Sequence, residues 1–136
     1  MSLSYRKAAT KPEADYQARV RALGVCVVCE YRRRAGDLKD SEPVPGHLDL
    51  HHRNIGDKHG QKRIGQHAVV LMCQYHHDDK FVFWGWSVEE MREVYGPSFA
   101  HHARDFREWT RDVLPEFTGE GTGRWQQYQD QLLGEQ

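Results

Sequence analysis

Apolar positions at helical spacing first appear over 12–23, where Tyr16, Val20 and Leu23 share one stripe and Gly24 supplies a stop. Pro12 suits the first helical position, where its missing N–H costs nothing. Residues 25–29 predict a short turn. Residues 35–46 are polar, carry Pro43, Pro45 and two glycines, and predict a loop. The alternation His, Leu, Asp, Leu, His over 47–51 predicts a short strand, and the apolar run over 68–72 a second. The segment between them holds Gly56, Gly60 and Gly65 among charges, so the two strands form a hairpin with a long connection. A helix over 74–80 follows, then an aromatic patch over 81–86 expected against the hairpin. Ser87 and Glu90 are spaced as a capping box for a helix that runs to Tyr95 and ends at Gly96. The longest helix is expected over 99–114, with Phe99, Ala103, Phe106, Thr110 and Val113 on its stripe, Trp109 beside it and Pro115 as its stop. Residues 118–123, with three glycines, predict a linker, and 125–133 a short, glutamine-rich helix with frayed ends.

The pattern describes one α+β domain over 1–136, with a metal-bound centre at about 24–82 and a helical part at about 87–133. Hydrophobic residues make up 38% of the chain, so the core is thin and a bound metal would help it fold. No run approaches the length of a membrane span, and the opening residues do not resemble a signal peptide. The expectation is a cytoplasmic protein with reduced thiols. The net charge of −1 averages over faces and decides nothing about a nucleic-acid partner. Arg32, Arg33 and Arg34 form a basic run of the kind usually found in a solvated turn; Lys58, Lys62 and Arg63 form a second cluster.

The candidate chemistry lies in three cysteines and their neighbouring histidines. Cys26 and Cys29 are separated by two residues, as are Cys73 and His76, giving two close pairs far apart in sequence. That is the spacing of a structural zinc knuckle. The competing reading makes Cys26 and Cys29 small buried residues between valines; the second half-set weighs against it. In a tetrahedral site the sulfurs of Cys29 and Cys73 would sit about 3.5–4 Å apart. His51 and His52 lie between the knuckle halves. Strict alternation would send them to opposite faces, so the strand must end there for both to serve one site. The bland alternative is a surface pair in a loop. His77 is about 100° round the helix from His76, so one ring can face the zinc and the other a second metal. His101 and His102 fit a solvent-facing pair, and His47 and His59 have no spacing argument. Phe83, Trp84 and Trp86 could stack on bases, although packing is the commoner role of such a patch.

The stretch 26–78, with Asp49-Leu50-His51-His52 and Leu71-Met72-Cys73-Gln74-Tyr75-His76-His77, resembles the HNH (ββα-metal) endonucleases. Gly65, His67, Gly96-Pro97-Ser98 and Phe106 extend the resemblance toward phage recombination-enhancement nucleases that act with RecA-type filaments. The resemblance implies a metal-dependent endonuclease that hydrolyses DNA phosphodiesters, in the host cytoplasm if phage-encoded. It implies a structural Zn²⁺ and a catalytic Mg²⁺ or other divalent ion. His52 would be the general base, His51 and His77 would hold the catalytic metal, and Arg53 would contact phosphate, with Lys58, Lys62 and Arg63 as further nucleic-acid contacts. A D-H-H alignment would make His51 the base instead. The family's middle asparagine is missing; Asn54 comes too early, and His67 is the expected substitute, its ring near the backbone of His52. A His67 ring turned to solvent would favour a DNA-binding or recombination accessory protein without cleavage. A zinc-scaffolded protein-interaction module is the third class.

Overall fold

The computed structural model describes residues 8–36, 44–53, 66–78, 80–100, 102–119 and 121–136. Helix α1 (Lys11–Ala22) starts at a full capping box: the Thr10 hydroxyl accepts from Glu13 N–H, and Glu13 accepts from Thr10 N–H. Helix α2 (Val27–Arg34) begins where a turn was expected, because Cys26 occupies its N-cap position. The arginine run is therefore helical. Arg33 and Arg34 pair with Glu30, and Arg32 lies over the ring of Trp109, 5.3 Å from its centroid. Burial pushes the Glu30 carboxyl up, but Arg34 and Arg33 outweigh it and hold it below the usual range.

Strands β1 (Asp49–His52) and β2 (Val69–Met72) pair antiparallel, with Asp49 opposite Met72 and His52 opposite Val69. β2 is fully buried and β1 half-buried, so β2 is the strand the helices close on. Helices α1, α2 and α6 pack against β2, and α3 (Gln74–Asp78) packs against both strands. Helix α4 (Val88–Tyr95) has the expected capping box at Ser87 and Glu90 and stops at Gly96. Gly96 takes φ 87°, and a Cβ there would meet Arg32 Nη1 at 2.5 Å, so glycine is required twice over.

Helix α5 (Ala103–Val113) starts four residues later than the pattern suggested. Phe99 N–H donates instead to the His76 carbonyl at 2.8 Å, which ties the preceding turn to α3. The C-terminal helix α6 (Thr122–Gly134) is the largest correction. It has 13 residues, longer than α5, and buries Trp125, Gln129, Leu132 and Leu133 among others, so it belongs to the core. The glycine linker ends at its first turn. Gln129 presents its amide to the outer edge of β2: Oε1 accepts from Leu71 N–H at 2.8 Å, and Nε2 donates to the Val69 carbonyl at 2.8 Å. Gln126, one turn earlier, donates to the His67 carbonyl at 2.7 Å. These side chains occupy backbone groups that a third strand would otherwise satisfy. Trp125 fills the space beneath, bonded to Thr110 Oγ1 at 2.7 Å and in ring contact with Tyr31, Phe106, Trp109 and Tyr128. No helix among the described residues is long and apolar enough to cross a membrane.

Candidate metal centres on the hairpin and its helix

Two short loops bring the cysteines together. Cys26 precedes α2 and Cys73 precedes α3, so each opens a helix whose first N–H groups face the sulfur. Cys29 N–H lies 3.5 Å from Cys26 Sγ, and His76 N–H 3.4 Å from Cys73 Sγ. Such donors stabilise thiolates. All three cysteines are free thiols. Cys29 and Cys73 sulfurs are 3.9 Å apart, within the expected range. His76 Nδ1 lies 3.6, 3.4 and 3.3 Å from the sulfurs of Cys26, Cys29 and Cys73. Tetrahedral zinc would need about 3.8 Å between sulfurs and about 3.6 Å from sulfur to nitrogen.

The histidine tautomer also fits. His76 Nε2 is 2.7 Å from the Tyr95 carbonyl, which can only accept, so Nε2 donates there and Nδ1 is the nitrogen that faces the thiols and would ligate a metal on losing its proton. Burial would push His76 down, but the charges on Cys73 and Cys26 outweigh it and raise its pKa to about 10. Burial likewise opposes the Cys26 thiolate, yet hydrogen bonds from Cys29 and Cys73 and the charge on His76 hold Cys26 well below the usual thiol range. Its hydrogen bonds to Cys26 and Cys73 push Cys29 well above that range. The donor set of Cys26, Cys29, Cys73 and His76 could hold a metal ion such as zinc.

The neighbouring position in the same helix faces elsewhere. His77 Nδ1 lies 3.1 Å from Asp49 Oδ2, and Asp49 Oδ1 lies 3.1 Å from His47 Nε2. Asp49, His77 and Asp78 form a second potential ligand set, with donor atoms within 4.8 Å of one another. The His51 ring is 5.4 Å from that of His77 and 4.3 Å from that of Phe99. The His51 and His77 rings are thus neighbours as expected, and the carboxylate that His77 Nδ1 contacts is that of Asp49. Sequence reasoning passed over Asp49 and Asp78. Strand alternation contained the signal for the first, since Asp49 and His51 share a face of β1.

His52 Nε2 lies 3.1 Å from Gln66 Oε1. The amide orientation follows from a chain of contacts. The Gln66 carbonyl accepts from Gln17 Nε2 at 2.6 Å, and that same nitrogen lies 3.3 Å from Gln66 Oε1. Gln66 Oε1 is therefore an acceptor, and His52 Nε2 bears a proton. Glu13 completes the support by accepting from Gln66 N–H at 2.9 Å. His67 points differently from the expectation. Its side chain is 61% exposed, and Nδ1 lies 3.6 Å from Glu13 Oε2. The side chain that reaches His52 belongs to the preceding residue, and no sequence signal distinguished it.

Arg53 turns toward α6, where it donates to Gln126 Oε1 and passes over Gly123, whose missing side chain leaves room. Its Nε is buried without a partner among the described residues. Burial lowers its pKa. Lys58, Lys62, Arg63, Asn54, His59, Gly65 and His101 lie outside the described residues. His102 is half-buried and contacts Ser98 Oγ at 3.2 Å. The aromatic patch divides: Phe83 and Trp86 make ring contacts with Tyr95 of α4, and Phe81 with Phe83, while Trp84 is 98% exposed. Set against family models, curated proteins and solved structures, the chain finds no match.

Proposed function

We propose that this protein is a metal-dependent endonuclease of the HNH type, built on a structural zinc, that hydrolyses DNA phosphodiesters. One observation carries the reading. Asp49 from β1 and His77 and Asp78 from α3 converge as potential ligands, and His52, whose Nε2 lies 3.1 Å from Gln66 Oε1, lines the same groove. The zinc would be held by Cys26, Cys29, Cys73 and His76, and would fix the start of α3 against the hairpin. Asp49, His77 and Asp78 would hold a divalent ion such as Mg²⁺, which would supply positive charge to stabilise the phosphate and the leaving 3′-oxygen. His51 stands beside that set.

His52 Nδ1 would take a proton from the attacking water, whose oxygen bonds to phosphorus as the bond to the 3′-oxygen breaks. The imidazole suits this role because its ordinary pKa lies near neutrality. Gln66 would keep the ring in one orientation through the transfer. His51 remains the alternative base, and reciprocal substitutions separate the roles. If His52→Ala cleaves while His51→Ala is inactive and still binds the divalent ion, the assignment is reversed.

A second reading, a zinc-stabilised DNA-binding or recombination accessory protein, is the one an outward His67 was expected to favour, and the His67 side chain is 61% exposed; the contact of Gln66 with His52 in its place is what keeps the nuclease reading ahead. Purified protein incubated with plasmid DNA and Mg²⁺ or Mn²⁺, with and without a RecA-type filament, decides between them. The nuclease reading expects nicked or linear product that disappears with His77→Ala. Binding without product in every condition supports the accessory protein.

A further inference from the structure

A groove of about 640 Å³ runs along β1 beside the second ligand set, and two cations from outside the hairpin line it: Arg21 of α1 and Lys80, just beyond α3. We infer that Arg21 and Lys80 are positioning residues that seat the phosphodiester backbone of a nucleic-acid strand across this groove. The inference rests on the nuclease reading for its substrate class, and deepens it by naming the phosphate contacts.

Each cation is placed by structure that is itself anchored. Val20 is fully buried, and Arg21, the next residue in the last turn of α1, is exposed at the groove. Lys80 N–H donates to the Gln74 carbonyl at 3.2 Å, six residues back, which closes the end of α3 and fixes the Lys80 backbone at the rim. The Lys80 side chain is 76% exposed, and its Nζ is 3.7 Å from Asp78 Oδ2, a loose and screened pairing that leaves the ammonium available.

The charge balance points to the same ligand. Asp49 and Asp78 give the groove two negative charges, and Arg21 and Lys80 two positive ones. A divalent ion on the carboxylates would leave the two cations unopposed, which suits a polyanion whose charges repeat along its length. Arg53, expected to contact phosphate, is turned to Gln126 and does not line this groove.

The test is fluorescence anisotropy with labelled duplex and single-stranded oligonucleotides over a salt series, at a low fixed concentration of Ca²⁺ to occupy the carboxylates, with gel analysis confirming that the oligonucleotides stay intact. Each phosphate contact contributes about 0.9 to the slope of log affinity against log salt for duplex and about 0.7 for single strands. Arg21→Gln and Lys80→Gln should each flatten the slope by about that amount and weaken binding at low salt. Arg21→Lys and Lys80→Arg should keep the wild-type slope. Arg19→Gln should do so too, since Arg19 is exposed in the same helical turn but does not line the groove. Whichever strand form shows the loss is the form the groove seats. A double Arg21→Gln/Lys80→Gln variant with the wild-type slope overturns the inference, as does a wild-type protein that binds neither oligonucleotide at low salt. If the wild type cleaves plasmid and the double variant keeps its slope, this inference fails and the nuclease reading stands. If the slope falls but nothing is cleaved, the nuclease reading fails and the groove assignment stands.

Discussion

Replacing Gln129 with methionine keeps the side chain's length and volume but removes both polar atoms. The structure makes the consequence calculable. Gln129 is fully buried, and its amide satisfies Leu71 N–H and the Val69 carbonyl on the outer edge of β2, at 2.8 Å each. Those residues are themselves 1% and 0% exposed, so water cannot take the place of the amide. A buried donor or acceptor left unpaired costs about 1–3 kcal/mol. Two such groups, partly offset by not burying an amide, give a net loss of roughly 2–4 kcal/mol. With a urea slope of about 1–3 kcal/mol/M, the unfolding midpoint should fall by about 1–2 M. The assay is urea unfolding of zinc-loaded protein followed by tryptophan fluorescence, with Gln127→Met as control. Gln127 bonds only to exposed Thr118, and its loss should stay within about 0.5 kcal/mol. Gln129→Glu should also destabilise near neutral pH, because a carboxylate oxygen would face the Val69 carbonyl. If Gln129→Met and Gln127→Met unfold together, the amide does not close the sheet edge.

Cys26→Ser or Cys73→Ser should release the metal and destabilise the fold, read as lost zinc in metal analysis and a lower urea midpoint. Zinc binding to folded apo-protein at pH 7 should release protons, because His76, raised to about 10, and Cys29, raised well above the usual thiol range, are both protonated there. Affinity should therefore rise with pH through neutrality; calorimetry in buffers of different ionisation enthalpy measures the release, and a value near zero contradicts the protonation scheme. Trp84→Ala should change stability by less than about 0.5 kcal/mol, since that ring is 98% exposed, whereas Trp125→Ala should cost about 3–5 kcal/mol in the same urea assay.

The Cys26–Cys29 and Cys73–His76 pairs were legible in the sequence because a two-residue gap fixes both ligands in one local turn. The caps of α4 were legible for the same reason. What stayed hidden depends on distant partners. α6 looked polar and frayed because its glutamines count as hydrophilic; they are buried because they pair with a sheet edge that no local pattern reveals. The arginine run looked solvated, yet Cys26 starts a helix there and Trp109 covers Arg32. Asp49 could have been found from the two-residue period it shares with His51. Gln66 could not, because its contact with His52 depends on Gln17 and Glu13 in α1.

On the proposed reading, Cys73 and His76 at the start of α3, with Cys26 and Cys29 at the start of α2, would hold a structural zinc, and the groove lined by Asp49, His52 and His77 would be a separate reactive site. Supercoiled plasmid incubated with wild type and His52→Ala in Mg²⁺ or Mn²⁺, with zinc content measured on the same preparations, tests both sites at once. Both proteins should hold one zinc per chain, and cleavage should be lower by about 10²-fold or more in the variant. A fully zinc-loaded wild type that leaves the plasmid intact in both metals, or a His52→Ala variant that cleaves at the wild-type rate, would contradict that reading.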